Sequence, residues 1–490
     1  MPYQYLMNYS TFDAIRFIPY QKFKNLNIRA CMARVVIIGA GLTGLSVAYN
    51  LEQQGFFDYA IFEQESTVGG LCRSIRCDGF TFDYTGHFFH SPSAHMIDFL
   101  HTIMQNSSLS AHIRHSYIYS HDTYTPYPYQ TNLYGLPTET IIDCIMGFVQ
   151  RQTHKKNGNF YTWIHTHFGS GFARHFFFPY QEKIFDYPVS KLRTGWVQGV
   201  PHTTLEAILK GALQERVVDS IGYNAQFWYP THGGIDHLIH AFGHALKNPL
   251  YTNCSAVVLD THKKIVTFSN GHSEPYEYLI STIPLKTCLD ILGMKKEADK
   301  LLVNSVLNIN IGIDCDIADQ KHWVYYPEKK HPFFRIGFPS HLRGMAPEGY
   351  SSLSIEIATL KKPTPEIIGN LTKKTYEHLE KIFGIQPRDI VSEQTLVLPH
   401  AYVIYNLWRE EHIDSLLRYL ENQSIYSIGR YGGWKYASMH DAITDGHSMA
   451  QKLIAHFSAT FKPATTVKQK PAHIPAITKK PGRRLIKEIS

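Results

Sequence analysis

The sequence predicts an α/β protein whose first domain is a parallel, Rossmann-type sheet with a nucleotide-binding turn. Val35–Ile38 is a short apolar run, typical of a central parallel strand. The turn GAGLTG at residues 39–44 follows it, and a helix is expected over residues 42–54. A second apolar strand, Tyr59–Phe62, ends in Glu63, nineteen residues after the last glycine of the turn. Strand, turn, helix, strand and acid in this order predict a dinucleotide site.

Each residue of the turn has a physical role in that prediction. Gly39 permits the tight turn, Gly41 lets the backbone approach a pyrophosphate, and Gly44 lets the helix pack closely on the strand. Leu42 and Thr43 begin the helix, whose amide groups and positive dipole end face the phosphates. The acid after the second strand accepts hydrogen bonds from a ribose. These features leave NAD and FAD as alternatives.

Two further segments resemble the large flavoprotein superfamily that includes amine oxidases and protoporphyrinogen oxidase. They are VGGLCRS at residues 68–74 with GFTFDYTGH at 79–87, and IYSI at 425–428 with GRYGGWKY at 429–436. The resemblance implies non-covalent FAD, with His87 beside the flavin ring. The other residues that it implies as FAD contacts, besides those of the turn and Glu63, are Gly69, Gly70, Leu71, Arg73, Val258, Gly429, Arg430, Met439 and His440.

The segments between these two ends are similar to eukaryotic-type UDP-galactopyranose mutases. They read PYPYQTN at residues 126–132, FPYQEK at 178–183, WVYYPE at 323–328 and PFFR at 332–335. The resemblance extends in patches over about residues 33–455. It implies a Rossmann-type FAD-binding domain, an inserted helical domain and an antiparallel sheet that forms the substrate side.

The family resemblance also implies a reaction. UDP-galactopyranose mutases interconvert the pyranose and furanose forms of a nucleotide sugar, and their reduced flavin supplies N5 as the nucleophile. NAD(P)H is a candidate reductant. His87 and Arg335 are the implied catalytic residues. Implied substrate contacts are Tyr127, Tyr129, Gln130, Trp323 and Tyr325 around the uridine, and Arg335, Tyr402 and Tyr436 at the diphosphate.

The sequence departs from that family at three places. Residues 197–200 read VQGV, where the family has a second arginine for the diphosphate. Leu342 stands in place of a tyrosine, and His440 in place of an asparagine near the flavin. Losing one charge-assisted hydrogen bond costs about 1.5–3 kcal/mol, and Arg193 and His202 are candidate replacements. An FAD oxidoreductase of the amine oxidase type and a non-catalytic flavin-binding protein therefore stay as alternatives.

The expected domain order alternates between the FAD domain and its insertions. We expect an N-terminal extension (1–31), three FAD-domain parts (32–90, 216–285, 424–457), a helical insertion (91–215), an antiparallel sheet domain (286–423) and a disordered basic tail (458–490). Met32 directly precedes the first strand and is a candidate translation start. Helices are expected at 94–104, 138–152, 159–168 and 205–214 in the insertion, and at 365–382 in the sheet domain.

Composition narrows the remaining classes. The formal net charge is +7, but the tail holds eight Lys and Arg against one Glu, so the rest of the chain is neutral and indicates no nucleic-acid partner. Seven scattered cysteines without a CxxC pair favour free thiols in a reducing compartment. No signal peptide or membrane span is evident, and we expect a cytoplasmic protein. His237, His240 and His244 share a helix face, but no metal site is expected.

Overall fold

A six-stranded parallel sheet forms the centre of the nucleotide-binding half. The computed structural model describes residues 17–19, 34–104, 109–152, 158–215, 225–317 and 320–460. In spatial order the strands are Phe17–Pro19, Leu250–Thr252, Tyr59–Phe62, Val35–Ile38, Tyr278–Ser281 and Ile425–Ser427. Every neighbouring pair is parallel. Val35–Ile38 is fully buried because both faces of the sheet are covered, which explains its unbroken apolar run.

Helices and a small sheet cover the two faces. The first face carries the helices Leu42–Gln53, Ala94–Ile103, Asp236–Ala245 and Met439–Thr460. The second carries the helices Leu285–Ile291, Lys295–Ala298 and Leu407–Asn422, with an antiparallel sheet of Ala256–Asp260, Ile265–Phe268 and Ser273–Pro275. The short helix Gly429–Gly432 follows the last strand of the parallel sheet. A hairpin of Ser74–Cys77 and Phe80–Asp83 leads out of this half.

A seven-stranded mixed sheet forms the opposite side of the molecule. Its order is Ile390–Leu398, Ser305–Ile313, Ser351–Thr359, Arg335–Gly337, Trp323–Tyr325, Ser116–Ser120 and Thr123–Pro126. All its pairs are antiparallel except Trp323–Tyr325 with Ser116–Ser120. The amphipathic helix Pro365–Phe383 covers one face. Short 3-10 turns lie at Pro339–His341 and Pro387–Asp389.

A helical unit packs beside this sheet around a core rich in phenylalanine. Its helices are Thr138–Val149, Phe160–His167, Gly169–Phe172, Phe178–Phe185 and Leu205–Leu213, with a π-helical turn at Ala173–Phe177. Single 3-10 turns lie at Tyr129–Thr131, Val189–Lys191 and Val197–Gly199. The predicted helices of this unit lie within one to three residues of the observed ones.

Two segments differ from the sequence interpretation. The expected helical insertion also contains strands, because Ser116–Ser120 buries every second residue, the period of a strand rather than of a helix. Leu109–Ile113 likewise pairs antiparallel with Gln226–Pro230. The expected N-terminal extension contributes Phe17–Pro19 to the edge of the parallel sheet. The rest of that extension, and the predicted tail from residue 461 onward, lie outside the described residues.

Across the described ranges, no helix has both the length and the apolar character needed to cross a bilayer.

Candidate functional site

The glycine turn places bare backbone at the carboxyl end of the strand Val35–Ile38. Gly39 has φ +96°, a left-handed conformation that glycine adopts without steric cost. A Cβ atom on Gly44 would overlap the Gly39 carbonyl oxygen, so the helix lies directly on the turn. A Cβ atom on Gly41 would lie 3.9 Å from the Gly70 Cα, an ordinary contact. The helix Leu42–Gln53 begins without a side-chain cap or an acidic residue in its first turn, which leaves its amide groups for an anion.

A second pair of glycines, Gly69 and Gly70, lies against this turn. Gly69 and Gly70 have φ +116° and +59°, and the Gly69 amide donates to the Ala40 carbonyl at 2.8 Å. A Cβ atom on Gly70 would lie 3.4 Å from the Gly41 Cα, so the two glycine segments lie side by side with bare backbone in contact. Nε of Arg73 donates to the Gly70 carbonyl at 2.7 Å. The result is a slot of bare backbone with one cation at its rim.

Glu63 lies where the second strand ends beside this slot. Its carboxylate accepts hydrogen bonds from the amides of Ala40 at 2.8 Å and Glu65 at 3.0 Å. Burial raises the pKa of Glu63, and these two donors oppose the rise. The amide of Cys254 donates to the Glu63 carbonyl at 2.8 Å. Val258 lies on the next strand, Ala256–Asp260, and its side chain is half exposed.

The C-terminal segment returns to the glycine turn. Gly429 has φ +81°, and a Cβ atom there would lie 2.7 Å from Oγ1 of Thr43. The Gly429 amide donates to Oδ2 of Asp445 at 3.2 Å, and Nζ of Lys435 lies 2.9 Å from the same carboxylate. Asp445 therefore ties the Gly429 turn to the helix Met439–Thr460.

The neighbouring predicted residues lie around this junction. The Arg430 guanidinium donates to the carbonyls of Ala437 at 2.7 Å and Ala401 at 3.1 Å. Nδ1 of His440 lies 3.0 Å from Oγ of Ser91. The chain thus brings together the predicted cofactor residues from both of its ends, including Leu42, Leu71 and Met439.

His87 lies between this junction and the mixed sheet. It is half-buried, and burial together with the charges of Arg430 and Arg335 lowers the pKa of His87 to about 4. Its ring is therefore neutral at neutral pH. A neutral imidazole donates one hydrogen bond and accepts another.

Arg335 forms a buried ion pair that the sequence analysis missed. Its Nε and Nη2 donate to Oε1 and Oε2 of Glu356 at 2.7 and 2.8 Å, and the side chains are 16 % and 3 % exposed. Burial lowers the pKa of Arg335, but the charge and hydrogen bonds of Glu356, together with Tyr402 and Tyr325, outweigh it and raise that pKa. Both residues line a cavity with Thr85, Phe88 and Trp323. A glutamate inside the otherwise uncharged strand Ser351–Thr359 was the available signal, because such a buried acid needs a partner.

Aromatic rings lie near two arginines of the site, and the Arg335 guanidinium lies 5.7 Å from the centre of the Trp323 ring. The ring centroids of Tyr127 and Tyr325 lie 5.7 Å apart, and Tyr325 lies 6.3 Å from Trp323. Arg430 lies over the rings of Tyr402 at 5.6 Å and Tyr436 at 5.0 Å. Burial raises the pKa values of Tyr127, Tyr325 and Tyr402, so their hydroxyls stay protonated donors. These predicted substrate residues therefore form one cluster.

Arg114 is a further cation of this cluster, beside Arg335 and Arg430, and sequence reasoning missed it. It is 3 % exposed, and its guanidinium lies 4.9 Å from the centre of the Tyr127 ring and 5.6 Å from that of Trp323. Its Nε and Nη1 are buried without a hydrogen-bond partner among the described residues. The only sequence signal was a cation next to a strand that alternates buried and exposed residues. Two buried, unused donors in an aromatic pocket indicate a place for an anionic or oxygen-rich ligand.

Two predicted substrate residues lie apart from the open part of the pocket. Tyr129 is fully buried and stacks on Phe176 with centroids 4.9 Å apart. Gln130 is also buried, and its amide nitrogen donates to the Pro201 carbonyl at 2.6 Å. Both side chains pack in the helical unit beneath Tyr127, and their role in substrate binding stays a prediction.

Two of the departures from the family pattern lie at buried apolar positions. Val197 is buried, and Leu342 is a core residue at 2 % exposure. Arg193 is not free to replace the missing arginine, because its Nε pairs with Glu410 at 2.5 Å. His202 is exposed. Arg114 is the cation that the fold adds to the pocket.

Comparisons with known proteins agree with this architecture. An NAD(P)-binding Rossmann-like domain family matches residues 37–103. Over 50 residues the chain is 46 % identical to a zeta-carotene-forming phytoene desaturase of Myxococcus xanthus and 44 % identical to a 4,4'-diapophytoene desaturase of Staphylococcus aureus. Each match covers 10 % of this chain and 10 % of the relative. The similarity to these relatives is thus confined to a short segment of about a tenth of each chain.

Solved structures match over most of the chain. A putative protoporphyrinogen oxidase of Exiguobacterium sp. 255-15 has TM-score 0.67 and 15 % identity, covering 86 % of this chain and 99 % of that one. A putrescine oxidase variant has TM-score 0.60 and 14 % identity, covering 86 % and 98 %. The chain therefore has the fold of the flavin-dependent amine oxidase and desaturase-like superfamily.

A further match is more specific. The structure of reduced UDP-galactopyranose mutase aligns with TM-score 0.81 and 28 % identity, covering 86 % of this chain and 94 % of that one. The family resemblance predicted from the sequence is confirmed by this similarity, and so is the predicted fold class.

The residues present fit an FAD. A diphosphate would lie against the bare backbone of Gly41 and Gly70, which no side chain of these residues covers. The uncapped start of the helix Leu42–Gln53 supplies amide donors, and Glu63 supplies an acceptor for a ribose. A flavin ring continuing from the slot would extend toward His87 and Arg430.

Proposed function

We propose that the protein is an FAD-dependent enzyme that converts the sugar ring of a nucleotide sugar between its pyranose and furanose forms. The observation that carries the proposal is the charge of the pocket beside the cofactor slot. Arg114, Arg335 and Arg430 lie against its aromatic rings, and the cavity beside Arg335 contains two carboxylates, Glu356 and Asp83. Burial raises the pKa of Asp83 to about 6, so this carboxyl becomes protonated only below about pH 6. A net positive pocket supports an anionic substrate.

FAD would be held by Gly39–Gly44 residues, by Glu63 and by the glycines at 69, 70 and 429. Use of FAD is general in this superfamily, and when bound in its reduced state the flavin supplies a nucleophilic nitrogen for the anomeric carbon of the sugar. NAD(P)H is the proposed reductant. The chain's own contribution is to keep this region closed to bulk water and to place the sugar next to it.

The diphosphate of the substrate would bind to the cations. Arg335 is held in a fixed orientation by Glu356, and it lines the cavity. Arg114 offers unused donors that offset the missing arginine at residues 197–200. Tyr402 and Tyr436 add neutral donors. Together these groups would stabilise the charge of the leaving diphosphate.

The nucleoside would stack on the aromatic side of the pocket. The ring centroid of Tyr325 lies 5.7 Å from that of Tyr127 and 6.3 Å from that of Trp323. Stacking on these faces would orient the base and thereby the sugar. His87 would donate or accept one hydrogen bond near the flavin. It would not act as a cationic acid, because its pKa lies near 4.

An FAD oxidoreductase is the second candidate, and the uncharged residues 197–200 are the observation that favours it. A protonated amine would bind poorly beside three arginines. The candidate is therefore limited to neutral or acidic substrates.

The test is a turnover assay on the purified, FAD-loaded protein. UDP-galactofuranose conversion is followed by chromatography with and without dithionite, and with NADPH as reductant. We expect turnover in the reduced state alone. Arg335→Gln should abolish it, whereas the exposed control Arg343→Gln should not. Absence of both turnover and UDP binding, with flavin reduction by another substrate, would establish the oxidoreductase; absence of all three would indicate a non-catalytic flavin protein.

A further inference from the structure

Lys183 is a partly buried lysine whose ammonium group meets three backbone carbonyl oxygens. Its Nζ donates to the carbonyls of Tyr326 at 2.6 Å, Glu328 at 3.0 Å and Phe333 at 2.6 Å. An ammonium group has three N–H donors, so each of them has an acceptor here. Three acceptors that converge on one side chain from another part of the fold indicate that this lysine holds that part in place.

The three carbonyls belong to the turn 326–334, which joins two strands of the mixed sheet. In this strand pair Tyr325 lies opposite Arg335, and they form the last pair before the turn. Tyr326 directly follows the first of these residues, and Phe333 lies two positions before the second. One ammonium group therefore holds both ends of the turn, next to an aromatic ring and a cation of the substrate pocket.

The helix Phe178–Phe185, which carries Lys183, is itself attached to the mixed sheet. The Asn304 side chain donates to a carbonyl of this helix at 2.7 Å. On the same helix, the Tyr180 ring centroid lies 5.3 Å from that of Tyr325 in an edge-to-face arrangement. The helical unit thus contacts one ring of the pocket directly and supports the neighbouring turn through Lys183.

We propose that Lys183 is a positioning residue for substrate binding, whose ammonium group orients Tyr325 and Arg335 by holding the turn between them. Because it concerns the substrate pocket, this inference rests on the proposed function. A lysine presents a compact charge that fits three converging carbonyl oxygens, whereas the planar fork of an arginine does not. A neutral amine has two N–H groups and one lone pair, so it would leave one of the carbonyls without a donor. The geometry therefore favours the charged form.

The charge of Lys183 changes within an accessible pH range. Burial lowers the pKa of Lys183 to about 7, and the negative charge of Glu328 opposes this fall. The charge of Lys183 also acts on His331 in the same turn and on His378 in the helix Pro365–Phe383. The pKa values of both histidines are lowered, mainly by burial, so their rings are neutral above pH 7. Raising the pH from about 7 to about 9 should therefore remove the ammonium charge and leave these rings unchanged.

Hydrogen exchange of the FAD-loaded full chain at pH 7 measures the turn itself, without any substrate. In Lys183→Met the amides of residues 323–337 should exchange at least about tenfold faster, while those of the parallel sheet stay unchanged. Lys329→Met is the matched control. Its Nζ pairs with Glu182 at 3.3 Å and so joins the same turn to the same helix, but its side chain is 75 % exposed. Its exchange should equal that of the wild type, and equally slow exchange in Lys183→Met would overturn the proposal.

Calorimetric titration with UDP measures the effect on the pocket. Lys183→Met should weaken UDP binding about tenfold with unchanged flavin content, and Lys329→Met should not. Wild-type affinity should fall about fivefold between pH 7 and 9, whereas that of Lys183→Met stays nearly constant. The wild-type profile decides the matter if Lys183→Met does not fold.

The two measurements separate this inference from the proposed function. A wild type that does not bind UDP would contradict the proposed function, and hydrogen exchange alone would then decide whether Lys183 holds the turn. Unchanged UDP affinity in a Lys183→Met protein with faster exchange would overturn the positioning role. So would a wild-type affinity that is the same at pH 7 and 9.

Discussion

The cofactor slot and the substrate pocket of this protein are lined by different parts of the chain. Backbone lines the slot, because glycines at 41, 69 and 70 remove side chains and leave amide groups and space. Side chains line the pocket, where arginines and tyrosines from four separate segments meet. A backbone site depends on local conformation, and a side-chain site depends on which distant segments the fold places together. The following predictions test that contrast.

Breaking the buried ion pair should have the largest effect. Glu356→Gln leaves the Arg335 charge buried without its partner, and we expect a loss of about 3–5 kcal/mol in the free energy of unfolding. Urea unfolding of the flavin-free protein measures it. Glu421→Gln is the matched control, because its pair with Lys452 is exposed on both sides and should cost less than about 1 kcal/mol. Equal effects of the two variants would contradict a special role for the buried pair.

Filling the backbone slot should remove the flavin and leave the pocket intact. Gly41→Val places a side chain in the space opposite Gly70, and we expect FAD affinity to fall about 100-fold, or about 2.7 kcal/mol. Flavin absorbance per protein after purification, and titration with FAD, measure it. Gly369→Val is the control, since an added Cβ there meets no atom within 4 Å. Normal FAD binding by Gly41→Val would refute the slot.

Removing the added cation should affect the pocket alone. Arg114→Met should weaken UDP binding about tenfold, or about 1.4 kcal/mol, with unchanged flavin content. Calorimetric titration with UDP measures it, and Arg343→Met is the exposed control. If UDP affinity is unaffected while FAD is lost, Arg114 belongs to the cofactor slot and not to the substrate pocket.

Lowering the pH should reduce the stability of the protein mainly through buried histidines on the pocket side. Each histidine should contribute less than the substitutions described above. Burial lowers the pKa values of His87 and His90 to about 4 and of His322 and His331 to about 3. Because these folded-state values lie below the usual 6.5, the stability from their neutral rings is complete above pH 6.5. It is lost as pH falls toward 4.

One variant isolates the contribution of His331 to this pH dependence. His331→Phe should reduce the loss of unfolding free energy between pH 6.5 and 5.5 by about 1 kcal/mol. Urea unfolding at both pH values measures it, with exposed His447→Gln as the control. Asp83 has the opposite sign: its pKa near 6 favours the protonated acid, so its contribution is lost as pH rises through 6. An unchanged pH dependence in His331→Phe would mean that this ring is protonated in the folded protein.

The nucleotide-binding segment was predictable because its determinants lie close together in the chain. Gly39, Gly41 and Gly44 act within one turn, and Glu63 follows at the end of the next strand. The helices Thr138–Val149 and Leu205–Leu213 were predicted for the same reason, since periodicity is a local property. The strand Ser116–Ser120 was missed because five alternating residues are a weak signal within a mainly helical stretch.

The sequence by itself determined the nucleotide-binding turn, the fold class and the family resemblance, since each is encoded in short runs of neighbouring residues. Only the tertiary structure decided which charges share the pocket. It paired Arg335 with Glu356 across two strands, engaged Arg193 with Glu410, and placed Arg114 between Tyr127 and Trp323. These partners are between 13 and 217 residues apart in the chain, a separation at which local patterns carry no information about contact. Electrostatics depends on distance in space, and the fold alone sets that distance.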